Sequence, residues 1–333
     1  MPSQRPTQIQ LDALLESFLS TKRSPETIRA YRREVVGFLD RIKASQDLLP
    51  LSSQGRSILD FPFSVLCDTV SAYVAASKKT DPATGRLTNP RSVNRRLYAL
   101  SSFFQFLQKA HGLSRNPVEV LDPAPMPRKS STKSPSADQI SILLTFLSGY
   151  RTQGWRELRN TTLLCCCFLL ALRRSEAVNL RWSNIDFHSK TLRLTQKGGT
   201  EKHLPIPPIL HSLLIDLKVA THLRLNRSGL KEGSHSVPEP VFISLRQPAG
   251  RPLSASSAYG IVQTITKKAL PGSCFSPHAF RKAFVELALT RGNDLVSIAN
   301  ATGHSTIEMV KYYDTRDYLK HNAIHDVGEI VEW

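Results

Sequence analysis

At 333 residues the chain exceeds one ordinary domain, so two are expected, and a hydrophobic fraction of 41% is enough to fill two cores. Lys and Arg outnumber Asp and Glu by 44 to 27, for a formal charge of +17 and a pI ≈ 9.9. That excess runs the whole length of the chain, which points to a polyanionic partner rather than a basic tail or a membrane surface. The five cysteines form no CxxC pair, and three of them lie inside the apolar run LLCCCFLLAL. Free cysteine behaves there as a small hydrophobe, so no zinc site and no disulfide framework is expected, and a reducing cytoplasm is. The same run is too short to span a bilayer and the first ten residues are too polar for a signal peptide, so no membrane association is expected.

Residues 11–20 (LDALLESFLS) read as a short amphipathic helix. Ser24-Pro25 is an N-cap followed by proline at the first helical position. It opens a longer helix with Ile28, Tyr31, Val35, Phe38, Leu39 and Ile42 as the buried stripe, while Arg29, Arg32, Arg33 and Arg41 face elsewhere. A further helix is predicted around 64–77, and the polar piece KKTDPATGRLTNP is a loop by its Pro, Gly and Asp content. Asn89 or Ser92 then starts RSVNRRLYALSSFFQFLQKA, with Val93, Leu97, Leu100, Phe103 (or Phe104) and Leu107 on its apolar side. Arg91, Arg95 and Arg96 crowd the N-terminal end of that helix, either as a phosphate- or groove-contacting element or as a solvated face. Residues 10–115 thus read as a compact all-α unit. The segment 116–136 is rich in Pro, Ser and Lys and without periodicity, and reads as a basic linker.

The second half begins with a helix over 137–148, capped near Ser136, and continues through a helix from about Trp155 into the cysteine run. In ALRRSEAVNLRWSNIDF the core positions are Leu172, Ala177, Val178 and Leu180, and Trp182 and Ile185 turn the chain into strands. TLRLT and KHLPIP alternate as short strands around QKGGTE, a Gly-Gly hairpin signal with Lys197 at the bend. A helix over 207–224, a loop, the brief strand VFIS and a helix from Ser254 to Ala269 follow. The stretch SPHAFRKAFVELALTRGNDLVSIANATGHSTIEMVKYYD reads as three helices joined by loops. His278 and Arg281 share a face near the start of the first, whose Phe280, Phe284, Leu287 and Ala288 form another face. His304 follows Gly303 just past the second, and Tyr312 and Tyr313 close the third. The tail 315–333 keeps Tyr318, Leu319, Ile324, Val327, Ile330, Val331 and Trp333, too apolar for a disordered end, and is expected to dock either on this molecule or on a neighbour.

These polar singles include no carboxylate pair and no metal-ligand spacing, an inventory that suits a phosphodiester. Arg173 in ALRRSE, Lys197 in a hairpin, His278-x-x-Arg281, Gly303-His304-Ser305 and a tyrosine nine residues after His304 together resemble the tyrosine recombinase, or phage-integrase-like, family of site-specific DNA recombinases. Each element alone is weak, but at roughly 5% per residue type the five that follow the first would coincide by chance on the order of once in a million. TIRAYRREVVGFL and SVNRRLYALSSFFQFL extend the resemblance to nearly the whole chain. Ala171 and Thr302 depart from the Gly and Leu common at those positions, and Arg174 stands beside Arg173 as a rival.

The resemblance implies a mainly α fold with a small β-sheet: a helical, SAM-like core-binding domain over 1–115, the linker 116–136, an α+β catalytic domain over 137–314 and a tail 315–333 that contacts a neighbouring protomer. It implies double-stranded DNA as partner, a dimer on each site and a homo-tetramer on two, with or without accessory DNA-binding proteins, at the nucleoid in the cytoplasm. Arg29, Arg32, Arg33, Arg91, Arg95 and Arg96 are the candidate DNA contacts. The implied chemistry needs no cofactor and no metal. Tyr313 attacks a DNA phosphate, Arg173 and Arg281 present planar cationic forks to the non-bridging oxygens, and His304 donates a further hydrogen bond. His278 assists proton removal from the tyrosine, and Lys197 protonates the departing 5′-oxygen. A type IB topoisomerase shares this chemistry, and a DNA-binding accessory protein with a decayed site would share the fold.

Overall fold

The computed structural model describes residues 8–44, 58–76, 89–126, 130, 132–195, 201–227, 239–244, 250–314 and 316, which are mostly helical with one small antiparallel sheet. The chain divides into two units, 1–126 and 127–333.

In the first unit, α1 (Gln8–Ser20), α2 (Pro25–Ala44), α3 (Phe63–Ala75) and α4 (Pro90–His111) surround an aromatic core. Phe18 meets Phe103 at 5.3 Å between ring centroids, and Phe38 meets Phe104 at 5.7 Å. Both Phe103 and Phe104 are therefore core residues, where the sequence left a choice; α4 packs against helices on more than one side, so its buried stripe is wider than a single row. Asn89 caps α4 by accepting from Arg91 N–H, and Gly112 ends it at φ 72, the left-handed turn glycine adopts without a Cβ penalty. The predicted loop over 78–90 falls almost entirely outside the described residues.

The segment predicted as linker is packed at both described ends. Pro117–Val120 is a 3-10 turn with Val118 buried, and Asn94 exchanges two hydrogen bonds with the backbone of Ala124. Farther on, Lys282 Nζ donates to Thr132 O at 2.6 Å. The Asn94 and Lys282 side chains satisfy backbone groups of Ala124 and Thr132 in this segment, each within its own unit.

The second unit is built on α5 (Ala137–Tyr150), α6 (Trp155–Leu169), α7 (Arg174–Val178), α8 (Pro208–Arg227), α9 (Ala255–Ala269), α10 (Pro277–Thr290), α11 (Leu295–Thr302) and α12 (Ile307–Lys311). Ser136 and Gln139 close a capping box at the start of α5. Strands β1 (Ile185–Asp186), β2 (Thr191–Thr195) and β3 (Glu201–Pro205) form a meander, with Leu192 opposite Leu204 and Leu194 opposite Lys202. Among the described residues, the predicted strand VFIS pairs only through an isolated bridge of Ile243 with Pro252, next to a second bridge of Arg181 with Pro240. Val241, Phe242 and Ile243 are buried, but each described neighbour offers a single pairing point and no ladder forms among the described residues.

Helix α10 straddles two cores. Phe280 and Ala283 belong to the main one, with the buried cysteines of α6, while Val285 and Leu289 join Ile298, Val310 and Tyr313 in a second, smaller cluster. Phe284 and Ala288 pack against that small cluster and Leu287 against the large one, all only partly buried. Beside the fully buried Phe280 and Ala283, the start of α10 also buries two charged side chains, Arg281 at 2% and Lys282 at 5% exposed.

Within the first unit the buried Glu34 gathers three arginines: Arg96 Nε at 2.9 Å, Arg33 at 3.1 Å and Arg95 at 3.5 Å. Burial pushes this carboxyl up, but Arg96 and Arg33 outweigh that and hold it below the usual carboxylate range. Its contribution to stability is therefore present at neutral pH and lost as pH falls below that range. Glu34→Gln is expected to cost about 1–3 kcal/mol at neutral pH from weakened charge-assisted bonds, read as a lower urea midpoint by far-UV circular dichroism, with the gap from wild type closing in acid.

Candidate active site

Four short segments of the second unit place their polar groups in one cluster. The first is the exit from α6. Ala171 sits at φ 49, the left-handed position after a helix that glycine usually fills, with its N–H on Phe168 O at 3.2 Å. This turn aims the Ala171 carbonyl at Arg281, whose Nη1 donates to it at 2.6 Å. Two residues on, Arg173 opens α7. Its backbone N–H and its Nη1 both donate to the Glu176 carboxylate at 2.7 Å, and its Nη2 donates to Gly303 O at 2.8 Å. Arg174 instead lies 5.9 Å from the Tyr259 ring, so the geometry separates the two arginines.

The second segment is the start of α10, capped by Ser276, which accepts from Ala279 N–H, with Pro277 in the first turn. His278 and Arg281 project from this turn. The third is the end of α11, where Asp294 caps the N-terminus and Gly303 (φ 67) stops the helix. His304 follows, 9% exposed, with Nδ1 2.7 Å from Thr302 Oγ1. The fourth is the turn after α12, where Tyr313 hydroxyl and His278 Nε2 are 3.1 Å apart. The Tyr313 ring lies 5.8 Å from the His278 ring and 5.6 Å from the His304 ring. Tyr312 stacks edge-on against Tyr313 and packs on the small core.

Lys197 lies outside the described residues, as does most of the tail 315–333. Another lysine of the same hairpin, Lys202 on β3, reaches the cluster and donates to Ala301 O at 2.7 Å. Sequence reasoning missed both Lys202 and the orienting role of Glu176. The three-residue spacing from Arg173 to Glu176 at a helix start was the available signal for Glu176. For Lys202 there was none, because its contact is with a segment about a hundred residues away.

The cluster is rich in mutually repelling positive groups. Burial, then Arg281 and Arg173, lowers the His304 pKa to about 3, so its imidazole is neutral. Burial and then Arg281 bring Lys202 down to about 8, partly offset by Glu176. Burial and then Arg173 bring Arg281 to about 10, leaving it protonated at neutral pH. Arg281 Nη2 is buried and has no hydrogen-bond partner among the described residues. A buried charged donor without an acceptor is costly, and an anionic oxygen would relieve both that cost and the repulsion. A cavity of ≈ 760 Å³ adjoins the cluster, lined among others by Arg173, Arg181, Arg193, Gly303 and Ser305. No group of three or more His, Cys, Asp or Glu among the described residues is placed to hold a metal ion.

The arginines predicted to touch DNA lie in the first unit, and most are engaged with its own carboxylates. Arg29 pairs with Glu26 at 3.1 Å, Arg32 forks onto Glu16, and Arg33, Arg95 and Arg96 converge on Glu34. Arg96 also lies 4.8 Å over the Tyr73 ring. Arg91 contributes its backbone N–H to the Asn89 cap.

The chain is thus one helical unit followed by a helical unit with a small meander, the second carrying a cluster of arginine, histidine and tyrosine. Residues 136–320 match the model of the phage integrase family, and the chain belongs to that family of DNA strand-exchange enzymes. It is 26% identical over 317 residues to tyrosine recombinase XerC of Pediococcus pentosaceus, covering 92% of this chain and 93% of the relative. It is 27% identical over 315 residues to XerD of Mycobacterium leprae, covering 92% of each. The fold is similar to XerH site-specific recombinase bound to difH substrate (TM-score 0.64, 17% identity, 96% of this chain and 85% of that one). It is also similar to a lambda integrase dimer bound to a core site (TM-score 0.61, 16% identity, 94% and 79%). No described helix is long and apolar enough to cross a membrane.

Ala171 carries the backbone strain that glycine would avoid. Ala171→Gly is expected to leave the cluster intact and to change stability by between zero and about +1 kcal/mol, because release of the left-handed penalty outweighs the extra freedom of glycine in the unfolded chain. A urea midpoint clearly below that of the wild type would contradict this.

Proposed function

We propose that this site-specific recombinase cuts and rejoins DNA through a covalent 3′-phosphotyrosine on Tyr313, with Arg173, Arg281, His278 and His304 around the scissile phosphate. The observation that carries the reading is the Tyr313 hydroxyl at 3.1 Å from His278 Nε2, in the same cluster as the buried Arg281 with its unused donor. A phenol, with an ordinary pKa near 10, is a weak nucleophile until its proton has somewhere to go. His278 Nε2 takes that proton as the tyrosine oxygen bonds to phosphorus. The two guanidinium groups and His304 hold the charge gathering on the non-bridging oxygens. The bond to the 5′-oxygen breaks, and that oxygen leaves with a proton from a hairpin lysine. The phosphotyrosine conserves the ester, so the 5′-hydroxyl of a second strand reverses the step on a new partner.

Residues 1–115 serve in this reading as the core-binding domain and 137–314 as the catalytic domain, with double-stranded DNA at the nucleoid as the partner. Two dimers assemble into a tetramer through the apolar tail 315–333. The relatives named above that were solved on DNA support a duplex as the partner.

A nicked suicide duplex is expected to trap a covalent protein–DNA adduct on a denaturing gel, and Tyr313→Phe to abolish it. Loss of the adduct in Tyr312→Phe instead would move the nucleophile by one residue. Crossover products between two duplexes separate a recombinase from a topoisomerase.

The proton donor to the 5′-oxygen is Lys197 by its place in the hairpin, and Lys202 is the second lysine to test because it lies in the cluster with its pKa lowered to about 8. The lysine whose replacement by alanine is rescued on a 5′-bridging phosphorothiolate, which departs without protonation, is the acid. If that lysine is Lys202, wild-type cleavage of ordinary DNA falls as pH rises through about 8.

With a net charge of +17, DNA affinity is expected to fall on the order of a thousandfold between about 50 and 200 mM salt, as for some six phosphate contacts. A flat response in a filter-binding titration would contradict it.

A further inference from the structure

Ser130 and Thr132, in the segment that leads into the second unit, are bonded to the two elements that carry Tyr313 and His278. At one end, Ser130 N–H donates to Tyr312 O at 3.0 Å. Tyr312 is the C-cap of α12, where the last carbonyls of a helix have no partner within it. Its carbonyl shares one planar peptide with the Tyr313 N–H, which donates to Val310 O at 2.9 Å. The two bonds together set the plane of the peptide from which the Tyr313 side chain departs. At the other end, Lys282 Nζ donates to Thr132 O at 2.6 Å. Lys282 lies one turn on from His278 in α10, on the same side of the helix. It is 5% exposed and also meets Glu286 at 3.4 Å, whose carboxylate accepts from Ser134 Oγ. Three residues of chain reach about 10 Å at most, so the two anchors cannot draw apart far without breaking a bond.

We propose that Lys282 is a positioning residue for DNA cleavage: through Thr132 and Ser130 it holds the Tyr312–Tyr313 peptide so that the Tyr313 hydroxyl stays within reach of His278 Nε2. The contact of that hydroxyl with Nε2, at 3.1 Å, joins α10 to the turn after α12. The strap through Ser130 and Thr132 joins the same two elements by a second route, along the backbone. Lysine suits the place because its ammonium has three donors on a long stem, one for the Thr132 carbonyl and another for Glu286. An aliphatic side chain of similar length would fill the space and withdraw the donor from Thr132 O. Arg316 holds the other side of the turn, meeting Asp314 at 2.8 Å and donating to Leu289 O at 3.2 Å. Loss of the strap therefore loosens the tyrosine without releasing it from α10. The inference rests on the reading of Tyr313 as the nucleophile.

The test uses the full chain in two forms, one with 3-fluorotyrosine placed at position 313 and one unlabelled on the nicked duplex. Lys282→Met is expected to shift or broaden the fluorine resonance of the DNA-free protein. At saturating DNA it should slow single-turnover cleavage about tenfold or more, with DNA affinity within about twofold. Ser130→Pro removes the N–H that Tyr312 O accepts and should do the same, while Ser130→Ala keeps that N–H and should match the wild type in both readouts. Because the two anchors act through one strap, the double variant Lys282→Met/Ser130→Pro should be no slower than the slower single variant. Effects that multiply, a Lys282→Met protein with the wild-type resonance and rate, or a loss of affinity that matches the loss of rate each overturn the proposal. If Lys282→Met does not fold, the Ser130→Pro and Ser130→Ala pair decides it. Should the wild type form no tyrosine adduct, the catalytic reading falls, and the fluorine resonance alone decides whether the strap holds Tyr313.

Discussion

The burial of one guanidinium organises the second unit. Arg281 is 2% exposed, and among the described residues its charge meets one carbonyl, that of Ala171, rather than a carboxylate. Taking an unpaired arginine out of water is costly, and the fold adds Arg173, Lys202 and the His304 ring to the same region. Glu176 offsets some of that repulsion while it orients Arg173. Such a concentration of donors is tolerable where the apolar scaffold around it is strong and where an anion completes it.

Two cores provide that scaffold. The larger one locks α6, with its three buried cysteines, against Phe280 and Ala283 of α10. Burial pushes the Cys165 and Cys167 thiols up to about 12, so they act as small apolar groups and not as reactive thiols. The smaller core, in which Tyr313 itself takes part, ties α10 to α11 and α12. Tyr313 is thus both a packing residue and the group whose hydroxyl meets His278.

The first unit uses its basic residues differently. Three of its arginines surround Glu34, whose neighbourhood also receives the Tyr73 hydroxyl on the Glu34 carbonyl. Pairs with a buried carboxylate hold these side chains in place, while Arg33 and Arg95 remain substantially exposed. Charge counting along a helix finds such residues but does not tell which share one counter-ion, because for Arg95 and Arg96 the partner lies on another helix.

Residue order alone determined a good deal of this protein. Helix caps such as Ser136, Asn89 and Gly303 are local hydrogen-bonding devices, so they are legible from neighbours in the chain, and apolar periodicity located most of the helices between them. The spacing of Arg173, His278-x-x-Arg281 and Gly303-His304 likewise marked which residues to watch, since each motif sits on a single turn. Only the tertiary structure decided that Arg173 rather than Arg174 bonds Gly303, that Tyr313 rather than Tyr312 meets His278, that Lys202 joins them, and that VFIS forms an isolated bridge instead of a strand. Those outcomes depend on contacts between segments tens to more than a hundred residues apart, where direction in space, and not distance along the chain, selects the partner.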